Sequence, residues 1–461
     1  MSHRIAAFAL CLVSVPALAV PGPSDRVYTA DQNTNTVSVI NAATNTLLGQ
    51  IRLGNPRPDI LSPLYKGEIN VHGLGFSPDH KTLVVVSNGS NSVAFVDTAT
   101  NKVKGIAYIG RSPHEAFFTA DGKEVWAVVR GESYVSVIDP TTFKETARVP
   151  TANGPGMVLF HPDGKRAFVV SSFTPQVDVI DVASRKVIKS IPVTSPFSPF
   201  LQLTPDGKEL WMTHKDVGKV TRIDTTTLEV KEVIDTGPIT NHLGFAKTPR
   251  GTLAYVTIGG DNTVKVYTTG DKASLVKTIN VGALPHGIWG SDDGSRLYVG
   301  LENGDAVAVI DTATDQVVAE VPIGQAPQAL VFVSHAAGSG DGTANLVPRG
   351  NEKPVNVRLK PAQGDAYGFV VARNLGLVDA LEVSLFKLKP DTTYDVYVGD
   401  QRTPVASFKT NPKGMANGTA IGPMREAVSR LAATPVTPAT IYVVEHGQPA
   451  EARNAVLAGG Q

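Results

Sequence analysis

The chain has 461 residues, 42 Lys plus Arg against 42 Asp plus Glu, and a single cysteine, Cys11. Balanced charge gives no long-range field to concentrate DNA, RNA or anionic lipid, which argues against a nucleic acid partner. With no cysteine after residue 11, disulfide scaffolds, Cys-ligated zinc, covalently attached c-type haem and thiolate copper sites are all excluded. The 43 glycines and 32 prolines demand frequent turns and few helices.

Met1 to Arg4 carries one positive charge, Ile5 to Val15 is almost wholly apolar, and Ala17-Leu18-Ala19 offers the small-x-small pattern that signal peptidase accepts. The expectation is a signal peptide over residues 1–19, cleaved after Ala19, and a periplasmic or secreted mature protein. No transmembrane segment is expected, because the apolar run falls short of the roughly 20 residues that span a bilayer.

From residue 26 the chain repeats itself seven times. One phrase ends in a D-G turn, as in GLGFSPDHKTLVVVSN from Gly73, EAFFTADGKEVWAVVR from Glu115 and MVLFHPDGKRAFVVSS from Met157. A second follows it, as in NSVAFVDTATNKVKGI or SYVSVIDPTTFKETARV. The residue before each inner strand falls at positions 72, 114, 156, 199, 242, 286 and 328, spacings of 42 to 44. A fixed period in the forties, filled with short β-branched runs and tight turns, predicts an all-β fold of four-stranded propeller blades. Each unit supplies strands A to D, as in GLGFS, TLVVVSN, SVAFVD and KVKGIAY. Because the chain opens with a B strand at Val27 and closes its repeats with an A strand near Leu330, the first blade is expected to be completed by the last strand.

VSVIDxxTxxV, a Pro-containing loop, F-x-P-D-G-K and AYVT at Ala254 to Thr257 together resemble the YVTN-repeat β-propeller family and its exported YncE-like proteins. The resemblance covers residues 26 to about 334 and implies a seven-bladed propeller. It implies little about function, since propellers host enzymes and plain binding proteins alike.

Residues 335–345 are rich in Gly, Ala and Ser and read as a linker. Alternation resumes in VNVRLK, AYGFVVAR, ALEVSLFKL, TTYDVYVG, PVASFKT and TIYVVEH, which predicts a small immunoglobulin- or fibronectin-III-like β-sandwich over residues 346–461. Leu388 to Tyr394 has the L-x-P-x-T-x-Y form of a tyrosine corner, and Met424 to Ala433 reads as one short helix.

Chemistry in a propeller belongs at the mouth of the central channel. The marker positions there read His72, His114, Gly156, Pro199, His242, His286 and Gln328, so four of the nine histidines past residue 19 share one register. The B-strand ends add Asp31, Arg130, His214 and Glu302 to the same face. These residues are compatible with two roles. The imidazoles can hydrogen-bond the backbone of the neighbouring blade and satisfy groups that would otherwise be buried unpaired. Alternatively, neutral imidazole suits a transition metal such as copper or zinc, with His72, His114, His242 and His286 as the ligands. No G-x-S-x-G elbow and no phosphate-cradling Gly loop is present. His80 and His161 fall in A-to-B turns on the opposite face and are expected to be solvated, and Trp126, Trp211 and Trp289 to pack between blades.

The preferred reading is an exported non-enzymatic binding or scaffold protein, holding a protein partner or small-molecule ligand on the propeller top through His72, His114, His242, His286, Gln328, Arg130, His214 and Glu302. The alternative is a metal- or cofactor-dependent periplasmic enzyme of oxidoreductase or lactonase type working at the same mouth.

Overall fold

The D-G turns do what their chemistry requires. Gly122, Gly164, Gly207 and Gly294 take φ values of 70°, 69°, 72° and 72°, which lets each A strand reverse into its B strand in a tight turn. His80 occupies the equivalent place in one blade with φ 63°. The opposite turns are fastened by side chains: Asp97, Asp181 and Asp311 each accept the backbone N–H of the residue three further on, Thr100, Ser184 and Thr314.

The computed structural model describes residues 21–55, 65–195, 197–350, 354–374, 379–399, 402–422 and 440–460. The expected signal peptide and the expected helix at Met424 to Ala433 both lie outside the described residues. Among those described there is no helix long and apolar enough to cross a membrane.

Seven antiparallel four-stranded sheets form the ring. Their B strands show why no blade can stand alone. In Thr82–Ser87, Leu83 and Val85 pack towards one neighbouring blade while Val84 and Val86 pack towards the other. With a side-chain period of two, both faces of each sheet are apolar, and only a stack of blades covers them. Trp126 and Trp211 are fully buried in these interblade cores, each donating its indole N–H to a carboxylate two residues earlier, Glu124 and Glu209. The first blade closes as expected: Pro327–Val333 is its inner strand, paired antiparallel with Arg26–Asp31 through Val27 opposite Phe332 and Tyr28 opposite Val331.

His80 and His161 are not solvated, contrary to expectation. Each is half-buried and reaches a neighbouring blade, His80 through Nδ1 to the Ser334 carbonyl at 2.9 Å and His161 through Nε2 to the Gly207 carbonyl at 3.1 Å. The segment after Val333 is likewise pinned along its length. Asn101 donates to the Gly342 and Ala344 carbonyls, Arg26 to that of Asp341, and Gln50 and Val347 exchange a pair of backbone hydrogen bonds. It is a strap laid across the first two blades, and Leu346 packs against the core between them.

The C-terminal strands make two four-stranded layers joined at one edge into a nearly closed sheet. The first layer runs Val355–Pro361, Tyr367–Asn374, Asp379–Phe386 and Ala416–Gly422; the second runs Leu457–Gly459, Ile441–Glu445, Thr393–Val398 and Ala406–Lys409. Tyr394 forms the expected corner, its buried hydroxyl accepting the Lys389 N–H at 3.2 Å. The outer face of the first layer rests on the ring. Arg373 pairs with Asp305 at 3.0 Å, Asn33 donates to Glu382, and Lys413 pairs with Asp216.

The closure carries a testable consequence. Deleting Ala329 to Ser334 removes the inner strand of the first blade and the fastening of the ring, so circular dichroism melts should show loss of the cooperative transition. A thermal midpoint within a few degrees of the parent would contradict the split blade.

Candidate functional site

Every blade whose marker residue is His or Gln starts its A strand with a shift in register against the B strand: between Val71 and Gly73, Pro113 and Ala116, Thr240 and Leu243, Pro285 and Ile288, and opposite Thr29 and Asp31. Such irregularities re-aim side chains. The inner strands then approach each other so closely that a Cβ on Gly73 would lie 2.2 Å from the His114 carbonyl oxygen, and one on Gly287 2.7 Å from that of Gln328. Gly73 is what lets the inner strand of His72 close on that of His114, and Gly287 what lets the strand of His286 close on that of Gln328.

The imidazoles meet in two pairs. His72 and His114 face each other Nε2 to Nε2 at 2.8 Å. His114 bonds through Nδ1 to the Gly156 carbonyl of the next blade at 2.7 Å, which fixes Nδ1 as its protonated nitrogen and leaves Nε2 as the acceptor. Nδ1 of His72 has no hydrogen-bond partner. His242 and His286 lie with ring centroids 4.8 Å apart, and His242 stacks on Phe200 at 4.0 Å. Nδ1 of His286 lies 3.4 Å from a Glu302 carboxylate oxygen. Gln328 is buried beside them and donates to the Ala326 carbonyl. Glu115, which the marker register does not reveal, brings a buried carboxylate within 4.8 Å of nitrogens of His72 and His114.

His214 belongs elsewhere. It is fully buried inside its own blade, with Nδ1 against the Ser198 hydroxyl at 2.9 Å and Nε2 against the Thr221 hydroxyl at 2.7 Å. Ser198 and His214 are thus in contact, but the far nitrogen meets a hydroxyl rather than a carboxylate, and solvent reaches neither; this is not a nucleophilic arrangement. Asp31 is also turned inward, accepting from Thr29, Thr36 and Ser38.

Charge at the hub is lopsided. Burial first, then the nearby Arg130 and Lys215, push His72 down to about 3. Burial also holds His114, His242 and His286 well below the usual imidazole range. All four rings are therefore neutral near pH 7. Burial raises Glu302 against the pull of Lys215. Arg130 lies over the Phe197 ring at 5.4 Å, and neither it nor Lys215 has an ion-pair partner among the described residues.

Above the hub lies a cleft of about 1280 Å³ between ring and sandwich. Phe197, Lys215, Leu284 and Glu302 line its floor, and Arg358, Lys360, Tyr367 and Phe386 line its roof. Tyr367 stacks on Phe386 with centroids 4.9 Å apart. Other lysines of the lining are neutralised: Lys387 by Asp365 and Lys413 by Asp216. Sequence reasoning missed Phe197, Lys215 and the whole roof. The hint for Lys215 was its place next to His214 in a B-to-C loop.

His214 yields a prediction with a definite sign. Its folded ring is pushed down to about 4 by burial, whereas an unfolded histidine charges near 6.5. Between those values the unfolded state takes the extra proton, so this ring costs stability as pH falls, by about 1.4 kcal/mol per pH unit. His214→Ala should cost about 1–3 kcal/mol at pH 7 through unpaired hydroxyls. Urea unfolding at pH 7 and pH 5 should show the gap between parent and variant narrowing at the lower pH; a constant gap would show that the folded ring is free to charge.

Residues 67–204 match the family model described as YNCE-like beta-propeller. Solved structures share the fold at low identity. Hydrazine synthase of Kuenenia stuttgartiensis is 22% identical, with a TM-score of 0.52, over 59% of this chain and 92% of that one. A functionally unknown protein from Desulfotomaculum acetoxidans is 14% identical, with a TM-score of 0.57, over 67% and 99%. The periplasmic gluconolactonase PpgL of Pseudomonas aeruginosa is 18% identical, with a TM-score of 0.54, over 67% and 99%. No curated protein matches the sequence. The family match falls within a closed ring of seven four-stranded blades, so the N-terminal part of this chain is a seven-bladed β-propeller that is YNCE-like over residues 67–204.

Proposed function

We propose that this is an exported binding protein, cleaved after Ala19, that holds a small organic ligand between the propeller top and the sandwich. The observation that carries the reading is the cleft itself. At about 1280 Å³ it exceeds the roughly 300–1,000 Å³ typical of small-molecule sites, and it combines aromatic and aliphatic walls with a few polar groups. The ring at 26–334 supplies the floor and the sandwich at 346–461 the roof, with the strap at 335–345 between them. Binding rather than catalysis is favoured by the state of the titratable groups. The four imidazoles are buried behind Lys215 and Glu302 rather than lining the cleft, and they are held neutral well below the pH at which a general base is most effective.

Differential scanning fluorimetry with a panel of small organic molecules tests the reading on the mature chain. A ligand that binds only the folded state raises the melting temperature in proportion to its occupancy. At least one compound should do so for the parent and fail to do so for Asn417→Trp, which fills the cleft from the roof. Equal shifts in both proteins would place binding elsewhere.

A further inference from the structure

The cleft and the hub beneath it share an unbalanced positive charge, and we infer that the ligand is an anion whose acidic group seats between Arg130 and Lys215. This deepens the reading of the cleft as a ligand site and rests on it.

A guanidinium and an ammonium withdrawn from bulk water need either hydrogen-bonded counter-charges or a ligand that supplies them. The ring's other buried cations have partners. Arg222 binds Glu209 and Glu232, and Arg26 donates to three backbone carbonyls. The sandwich's Arg373 likewise binds Asp305 and Glu382. Arg130 and Lys215 differ. Both are only partly exposed, and neither side-chain cation makes a hydrogen bond or an ion pair among the described residues. Arg130 lies over the Phe197 ring, and Lys215, whose backbone N–H donates to the Phe197 carbonyl, lines the cleft floor beside it. Of the acids lining the cleft, Asp216, Asp235 and Asp365 pair with Lys413, Lys219 and Lys387, and Glu302 is engaged with His286. The roof adds Arg358, which lies over Phe369 at 5.7 Å, and Lys360, neither in an ion pair among the described residues.

The rest of the hub is compatible with an organic anion. The neutral imidazoles add no charge of their own, and with the Nε2–H of His72 given to Nε2 of His114, the unpartnered, nine-tenths buried Nδ1 of His72 is an acceptor that suits a hydroxyl on the ligand's body. Arg130 presents a planar fork of donors that matches a carboxylate two-to-two. The stacked Tyr367 and Phe386 and the apolar Leu284, Ile239 and Pro238 would hold a carbon skeleton. The ligand class is therefore a small organic acid with an apolar or ring-shaped body. The same cations oppose a metal ion on His72, His114 and Glu115, because a divalent cation there would sit beside two uncompensated positive charges.

Two measurements on the full mature chain test this. First, calorimetric titration with benzoate and with its neutral isostere benzamide, at low salt, should show benzoate at least tenfold tighter. Lys215→Met and Arg130→Met should each erase that preference while leaving benzamide binding in place. Binding of both compounds with equal affinity would overturn the anion seat yet leave the cleft reading intact. Stoichiometric uptake of zinc ions alone, lost in Glu115→Gln, would overturn it as well, by making the hub a cation site. Second, the ligand-free melting temperature of Lys215→Met and Arg130→Met should rise by several degrees, because each variant removes an uncompensated charge. A fall in both would show that these cations already have their partners inside the protein and are not waiting for one.

Discussion

The Arg373 guanidinium, fully buried at the contact between two β structures, is the interaction on which the site depends. It reaches from the sandwich into the B-to-C loop of the seventh blade, binding Asp305 at 3.0 Å and the Glu302 carbonyl at 2.9 Å, and it also binds Glu382 of its own sheet. Asp305 in turn accepts the Ala326 N–H, in the loop that leads to the closing strand of the first blade. One side chain thereby joins sandwich, seventh blade and ring closure. Removing one partner from such a cluster strands the others as buried charges, typically at about 3–5 kcal/mol.

Geometry follows from that anchor. With Arg373 seated over blades seven and one and Lys413 over blade five, the first sandwich layer bridges the hub rather than hanging from one edge. The ring below is shaped by a separate constraint, the close approach of inner strands around a shared axis, which requires Gly73 between His72 and His114 and Gly287 between His286 and Gln328. Between roof and floor remains a space neither part would enclose alone. The floor contributes Lys215 and Phe197, the roof Arg358 and the Tyr367–Phe386 stack.

The propeller was legible because its signal is redundant. Seven copies at one period, each with the same turn chemistry, leave little freedom, and the strand phase at Val27 and Leu330 already implied the split blade. The tyrosine corner at Tyr394 was legible because a buried hydroxyl must find a partner close by in sequence. The docking was not read, although a trace of it was present. In AYGFVVAR, Val370 and Ala372 belong to the sandwich core, yet Phe369, Val371 and Arg373 on the opposite face are buried too. A sandwich strand open to water on one side should carry polar residues there, so two apolar faces with an arginine among them mark a second contact. Residues chosen by register alone were a mixed set. His214 shares the face with Arg130 but turns into its own blade, because Ser198 and Thr221 satisfy both of its nitrogens. Glu115 was hidden in an apolar strand, and Lys215 lay in a loop outside the repeat's fixed register.

The claim that the sandwich is locked onto the ring is tested most directly by a double-mutant cycle across the contact. Asp305→Ala, Arg373→Ala and the double variant would be compared by urea unfolding, with Lys387→Ala and Asp365→Ala, an exposed pair within the sandwich, as reference. The account predicts a coupling energy between Asp305 and Arg373 of at least about 1.5 kcal/mol, well above the roughly 0–1 kcal/mol of a surface pair. Additivity within about 0.5 kcal/mol would contradict it, showing that these residues do not meet in solution and that no roof covers the hub.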